Sequence, residues 1–233
     1  MNDPNLVAVT QPYKLQNRIW GSVNRYFSET YSRRSTGRSV ASLEQRNNLY
    51  LLADQTVAFG IEGDFVEIGC QDGATARVLA SVLDHHQAER QLHVYDTFDR
   101  DPVPGIGRLN RFDRNFRVNG LRYPIVHRGE IETTLANELP ERIAFVHIDL
   151  AVGQLPDLHS QSMWKCLEMV YPRMSVGAIG VLMDYHDPDR TVGGWDANPG
   201  VKQACDRFFR TKPECIQILY GGSCSHAFFR KVW

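Results

Sequence analysis

The chain has 233 residues, 42% of them apolar and 23% charged. That is enough for one domain with a full core and ordinary for a globular protein. A net charge of −1 gives no general electrostatic reason to bind nucleic acid or an anionic membrane, and no apolar run approaches the ~20 residues of a membrane span. The start, Met1-Asn2-Asp3-Pro4-Asn5, lacks the basic and apolar regions of a signal peptide. The five cysteines (Cys70, Cys166, Cys205, Cys215, Cys224) are odd in number and form no C-x-x-C pair, so they read as reduced thiols of a cytoplasmic protein.

Residues 1–41 are polar with scattered aromatics (Tyr13, Trp20, Tyr26, Phe27, Tyr31) and read as an N-terminal arm or lid, leaving 42–233 as the main domain. Ser42-Leu43-Glu44-Gln45 opens a helix, with Leu43, Leu49, Leu52, Val57 and Phe59 at near-helical intervals. Strand and helix then alternate. Strand Phe65–Gly69 leads to helix Ala74–Leu83. Strand Leu92–Asp96 leads through a loop with Pro102, Pro104, Gly105 and Gly107 to helix Arg108–Asn119. Strand Ile125–His127 precedes a helical turn around Thr133–Leu139. Strand Ile143–Asp149 precedes helix Ser160–Met174, and strand Ala178–Asp184 precedes a polar loop and helix Gly200–Phe209 with Pro199 at its entry. Cys215–Tyr220 and His226–Val232, separated by Gly221-Gly222-Ser223, read as a hairpin. The expectation is an α/β, Rossmann-like fold, a mostly parallel sheet whose last strand is antiparallel.

In such sheets, ligands collect at the carboxyl ends of the strands. The strand ends here are Gly69, Asp96, His127, Asp149 and Asp184. The first turn reads Glu67-Ile68-Gly69-Cys70-Gln71-Asp72-Gly73. This is not the G-x-G-x-x-G that brings backbone amides against a pyrophosphate. The spacing suits a nucleoside without phosphates, with S-adenosylmethionine (SAM) the leading candidate. Asp96 is assigned to the ribose hydroxyls, with a loop-turn or N-cap role as the alternative. Glu67, inside the strand, needs a partner: the cationic end of the cofactor, backbone amides, or a core arginine. Gly69 and Gly73 allow close approach of the backbone, and Cys70 is a small packing residue beside the cofactor. Asp149 and Asp184 end adjacent strands and suit a divalent cation such as Mg2+, or act as two independent caps. His186 is a general-base candidate or a surface-loop histidine. His147 reads as a satisfied core residue, His85-His86 as solvent-exposed, and His159 as a helix cap. The loops Ala151–His159 and Asp187–Asn198, the latter with Trp195, are placed around the acceptor pocket.

Several segments in order resemble the macrocin O-methyltransferase family. They are Ser42–Leu49, Gly63–Gly69, Tyr95-Asp96-Thr97-Phe98, Arg114–Arg117 with Gly120-Leu121, Gly129–Leu135 and Tyr171–Gly177. The resemblance runs from about Ser42 to Arg230. It implies a class I methyltransferase using SAM, often with magnesium, frequently dimeric, that methylates sugar hydroxyls of natural products. It adds Thr97 to the cofactor-binding set and matches Asp149 to the first acid of a metal-and-catalysis motif. Where the family reads Leu-Asp-Gly-Asp-Leu-Tyr, this chain reads His147-Ile148-Asp149-Leu150-Ala151-Val152, without the second acid and followed by an insertion over Gly153–His159. Met183-Asp184-Tyr185 also keeps one acid of a usual pair. The metal site is therefore weakened, rebuilt from Asp157 or Asp187, or absent. Methyl transfer to a hydroxyl of a sugar-like small molecule, with Asp149 and His186 catalytic, is the leading expectation. A SAM-binding protein without transfer and an N-methyltransferase are the alternatives.

Overall fold

The computed structural model describes residues 41–99, 107–150, 155–191, 196–222 and 224–233. The expected arm (residues 1–40), the Pro/Gly loop at 100–106, residues 151–154 and the Trp195 segment at 192–195 lie outside the described residues.

The described elements, in order, are α1 (Leu43–Ala58), β1 (Asp64–Ile68), α2 (Ala74–His85), β2 (Leu92–Asp96), α3 (Arg108–Asn119), β3 (Ile125–Arg128) and α4 (Ile131–Glu138). They continue with β4 (Ile143–Ile148), α5 (Pro156–Val170), β5 (Met174–Leu182), α6 (Pro199–Phe209), β6 (Gln217–Leu219) and β7 (His226–Arg230). The sheet order is β3-β2-β1-β4-β5-β7-β6. The first five strands pair in parallel, and β7 is antiparallel to both neighbours. This is the expected architecture. The chain reverses direction between β3 and β4, so the carboxyl ends of β1 and β4 lie side by side at the switch point of the sheet, where ligands bind.

Helices cover both faces, so the central strands are buried on both sides and mostly apolar rather than alternating. All six residues of β4 are buried. On one face Val66, Ile68, Val146, Ile148 and Leu182 pack against Leu167 and Val170 of α5 and Phe208 and Phe209 of α6. On the other, Phe65 and Phe145 lie with ring centroids 5.2 Å apart, on the side of the register shared by Glu67 and His147.

The largest boundary differences from the sequence reading flank the helix before β5. The helix expected at Ser160–Met174 is α5, Pro156–Val170. Pro156 sits in its first turn, where its missing N–H costs nothing. Part of the expected inserted loop, Pro156–His159, is therefore helical. After a single 3-10 turn at Tyr171–Arg173, β5 begins at Met174 instead of Ala178. The expected turn near Thr133 is a helix of eight residues.

The start of α1 is fastened to the far end of the chain. Ser42 Oγ accepts the Gln45 N–H at 3.0 Å and Gln45 Oε1 accepts the Ser42 N–H at 2.8 Å, a complete capping box. The Ser42 hydroxyl also donates to Gly221 O at 2.8 Å, Gln45 Nε2 to Cys224 O at 3.2 Å, and Asn48 Nδ2 to Tyr220 O at 2.8 Å. Because Ser42 has both a cap and a tertiary bond, Ser42→Ala should lower stability by about 1–2 kcal/mol in urea unfolding. Glu44→Ala, on the same turn but outside the box, should change it little.

Candidate functional site

The ligand edge is built from the turn after β1. Gly69 has φ +83°, and its N–H donates to Tyr95 O at 2.8 Å. A Cβ placed on it would lie 1.8 Å from Asp149 O, and the Asp149 N–H donates to Ile68 O at 2.8 Å. No other residue type fits there. Gly73, at φ +78°, begins α2 with the ring of Phe112 only 2.7 Å from where a Cβ would stand. The apex of this turn is held by Asp96. Its Oδ2 accepts the Gln71 N–H and its Oδ1 the Phe98 N–H, each at 2.8 Å. A carboxylate has about four acceptor positions, so each oxygen keeps one for a ligand. Asp96 thus organises the turn, as the alternative reading had it, and retains the capacity for a vicinal diol. Thr97 Oγ1 accepts the Asp99 N–H at 3.4 Å. Cys70 is buried, and burial holds its thiol well above its ordinary value, so it packs rather than reacts.

Glu67 is 0% exposed and its Oε1 faces His147 Nδ1 at 3.0 Å; His147 is 1% exposed. The partner that a strand-interior glutamate requires is an imidazole from the neighbouring strand. Glu67 Oε2 has no hydrogen-bond partner. Burial works against a charge on His147, but the Glu67 carboxylate outweighs it and holds the ring's pKa above its usual value, with Asp149 and Asp184 adding to the effect. Burial also pushes Asp149 up to about 7, helped by the carboxylates of Asp184, Glu67 and Asp96 and opposed by His147. Asp184, at φ +60°, is raised by burial and partly restrained by the Asn198 amide, whose Nδ2 donates to Oδ2 at 2.7 Å. Nearby His226 is pushed down to about 3 by burial and lies 2.9 Å from the Asn48 amide.

His186 lies just beyond β5, buried, with Nδ1 3.0 Å from Ser225 Oγ. Three sequence readings change. His159 is no cap: it lies inside the first turn of α5, 2% exposed, and burial lowers its pKa while a hydrogen bond with the Leu150 backbone opposes that shift. His127 ends no ligand-facing edge. It stacks on Tyr95 and His93 at 4.3 and 5.2 Å and is tied to Glu138 at 2.5 Å. His85 and His86 are half-buried, and His86 Nε2 meets Asp54 Oδ1 at 2.7 Å. Arg108, passed over in the sequence, has a buried Nε without a partner, and its charge reaches Cys70. Only tertiary packing carries a signal for it.

The donor set for a metal was tested on these residues. Among the described residues, Asp149 and Asp184 gather no third ligand; the three-ligand grouping that exists is Asp54, His85 and His86, between α1 and α2. Asp157 is exposed, and Asp187 faces the Asp189 N–H and Lys202. Rebuilding the site from either is not what the described geometry shows. Two buried carboxylates, one of which raises the other, still suit a cation that takes most of its shell from water.

A parallel sheet with this order, a phosphate-free glycine turn and a carboxylate after β2 defines a Rossmann-like nucleoside-binding fold of the class I methyltransferase kind. Residues 66–185 match a family model described as a methyltransferase domain. That is more than half of the chain, which therefore belongs to this methyltransferase-domain family. A relative from Streptomyces olivaceus, 8-demethyl-8-(2,3-dimethoxy-alpha-L-rhamnosyl)-tetracenomycin-C 4'-O-methyltransferase, is 26% identical over 174 residues, 65% of this chain and 64% of the relative. The chain thus spans just under two thirds of that relative's length. Among solved structures, the O-methyltransferase NovP aligns with a TM-score of 0.62 at 19% identity, covering 82% of this chain and 81% of its own. The O-methyltransferase TomG from Streptomyces achromogenes, solved with SAM, aligns at 0.55 and 15%, covering 93% and 90%. These structures establish the fold.

Two outcomes follow. Gly69→Ala combines a positive φ with a backbone collision and should abolish SAM binding and lower the melting temperature by roughly 10 °C or more. The second concerns pH. His147, raised in the fold, contributes stability below pH 6.5 that is lost as pH climbs through its folded value, and Asp149, also raised, acts in the same direction between 3.8 and about 7. His226, lowered, acts oppositely between 6.5 and about 3. Above pH 6.5 His147 governs, so urea midpoints should fall towards pH 9. Glu67→Gln should flatten that slope and cost roughly 3 kcal/mol at pH 6.

Proposed function

We propose that this chain transfers the methyl group of SAM to a hydroxyl of a sugar or sugar-like natural product, in the manner of the macrocin O-methyltransferase group. The observation that carries the reading is the pairing of a phosphate-free donor turn, fixed by Asp96, with Asp149, Asp184 and His186 at the ends of the next two strands. A neutral amine attacks without prior deprotonation, whereas a hydroxyl needs a proton acceptor. Three such groups at one edge favour oxygen over nitrogen. The printed activity of the Streptomyces olivaceus relative, on a rhamnosyl group, supports a glycosylated acceptor.

In this reading Asp96 receives the ribose hydroxyls, the Gly69–Gly73 backbone and Thr97 flank the nucleoside, and Cys70 fills the space beneath. Glu67 acts from below the turn through His147. SAM supplies an electrophilic methyl on a sulfonium: a C–O bond forms, the C–S bond breaks with its electron pair left on sulfur, and the acceptor proton is released. Asp149 and His186 take and pass on that proton. If Mg2+ binds, Asp149 and Asp184 hold it, and it would acidify the acceptor hydroxyl. A cytoplasmic homodimer, with residues 1–41 as an N-terminal arm or lid, completes the proposal.

The test is a mass-spectrometric methyl-transfer screen with SAM and a panel of p-nitrophenyl glycosides, including the α-L-rhamnoside, with and without chelator. A methylated glycoside is expected, and a panel of amines should stay unmodified. Asp149→Ala should lower turnover at least a hundredfold while SAM still binds by calorimetry. Methylated amines with untouched glycosides would overturn the acceptor assignment, and wild-type turnover by Asp149→Ala would remove Asp149 from catalysis.

A further inference from the structure

His186 is the proton acceptor with the most restrictive surroundings. Its Nδ1 faces two hydroxyls, Ser225 Oγ at 3.0 Å and Thr191 Oγ1 at 3.4 Å. Each hydroxyl has one hydrogen, and each also stands close to a backbone carbonyl. Ser225 Oγ lies 2.9 Å from Tyr185 O, and Thr191 Oγ1 lies 2.6 Å from Asp187 O. A carbonyl oxygen only accepts, so at those distances both hydroxyl hydrogens point at the carbonyls. Both oxygens therefore offer lone pairs to His186. Two lone pairs facing a third on Nδ1 would repel, in a place where the imidazole is buried and such a mismatch is costly. The proton of the neutral ring must then sit on Nδ1, and Nε2 must carry the lone pair.

From this we infer that Ser225 and Thr191 are positioning residues that hold His186 as its Nδ1–H tautomer, so that Nε2 is the atom that receives the acceptor proton. The inference rests on the proposed role of His186 as base; the tautomer itself follows from the hydrogen bonds alone. Two separate segments contribute. His186 and Thr191 lie in the loop after β5. Ser225 lies 39 positions on from His186, at the entry to β7. That strand runs back from the ligand edge beside β5, with Leu182 opposite Ala227, which brings Ser225 to the end of β5. The antiparallel last strand thus has a function beyond extending the sheet. No described residue hydrogen-bonds Nε2. The proton balance is simple: the acceptor O–H loses its proton to Nε2 as its oxygen takes the methyl group, and the resulting imidazolium, with Nδ1–H still donating to Ser225, returns that proton to water.

The test uses the full chain labelled with 15N-histidine and long-range 1H–15N correlation spectra at a pH where the ring is neutral. His186→Gln identifies the signal by its loss. The wild type should show a protonated Nδ1 and an unprotonated Nε2. The reverse pattern, or two averaged nitrogens as in a free imidazole, would overturn the inference. Ser225→Ala combined with Thr191→Val should shift the signal towards the averaged or reversed pattern, while Ser225→Thr, which restores a hydroxyl, should keep the wild-type one. A circular dichroism spectrum and melting curve for each variant show that it is folded. A folded double variant that retains the wild-type pattern would also overturn the inference. With a glycoside methylated in the screen above, the double variant should lose roughly tenfold or more in kcat with little change in KM. If His186→Gln transfers methyl groups at the wild-type rate while the Nδ1–H pattern holds, the base assignment falls and the positioning of the ring stands.

Discussion

The ligand edge depends on one contact, the approach of the Gly69 backbone to the carbonyl of Asp149. A side chain at Gly69 would stand 1.8 Å from that oxygen, so the end of β1 and the end of β4 are separated by backbone alone. This fixes the turn after β1 and the end of β4 to one another without an intervening side chain whose rotamer must be set. Asp96 then draws the apex of the same turn back through Gln71 and Phe98, and Phe112 closes against Gly73. The site's precision comes from rigid strand ends, with loops added above them.

Beneath that edge the sheet contains an unusual concentration of buried charge. Glu67 and His147 are register partners on adjacent strands, and both are essentially solvent-free. A pair of this kind contributes little net stability, because desolvation offsets the attraction. Its effect is local: it raises the pKa of the His147 ring, whose charge opposes the burial and neighbouring carboxylates that push Asp149 up to about 7. The orphaned Oε2 of Glu67 shows that polar satisfaction at this level is incomplete.

The two ends of the described chain meet at the same edge. The capping box of α1 bonds to Gly221 and Cys224, and Asn48 of the same helix reaches Tyr220 and His226. The hairpin that supplies Ser225 is therefore held by the first helix. The surroundings of His186 depend on the cap of α1 as well as on the strand pairing of β7.

The parallel sheet, the glycine turn, the carboxylate after β2 and the start of α1 were all legible in the sequence. Each is governed by something local: continuous apolar runs for strands buried on both faces, glycines where φ must be positive, and a Ser-x-x-Gln box at a helix start. Proline alone did not reveal that α5 begins at Pro156, because residues polar enough for a loop also suit a solvated helix face. Nor could the roles of the histidines be read there. His147 meets a glutamate 80 positions away, His127 one 11 positions away, and His186 a serine 39 positions away. The sequence by itself determined the fold class, the glycine turn and which acids and histidines stand at the strand ends. Only the tertiary structure decided which of them are paired or buried, because hydrogen bonds and desolvation depend on neighbours that the sheet brings together from distant parts of the chain.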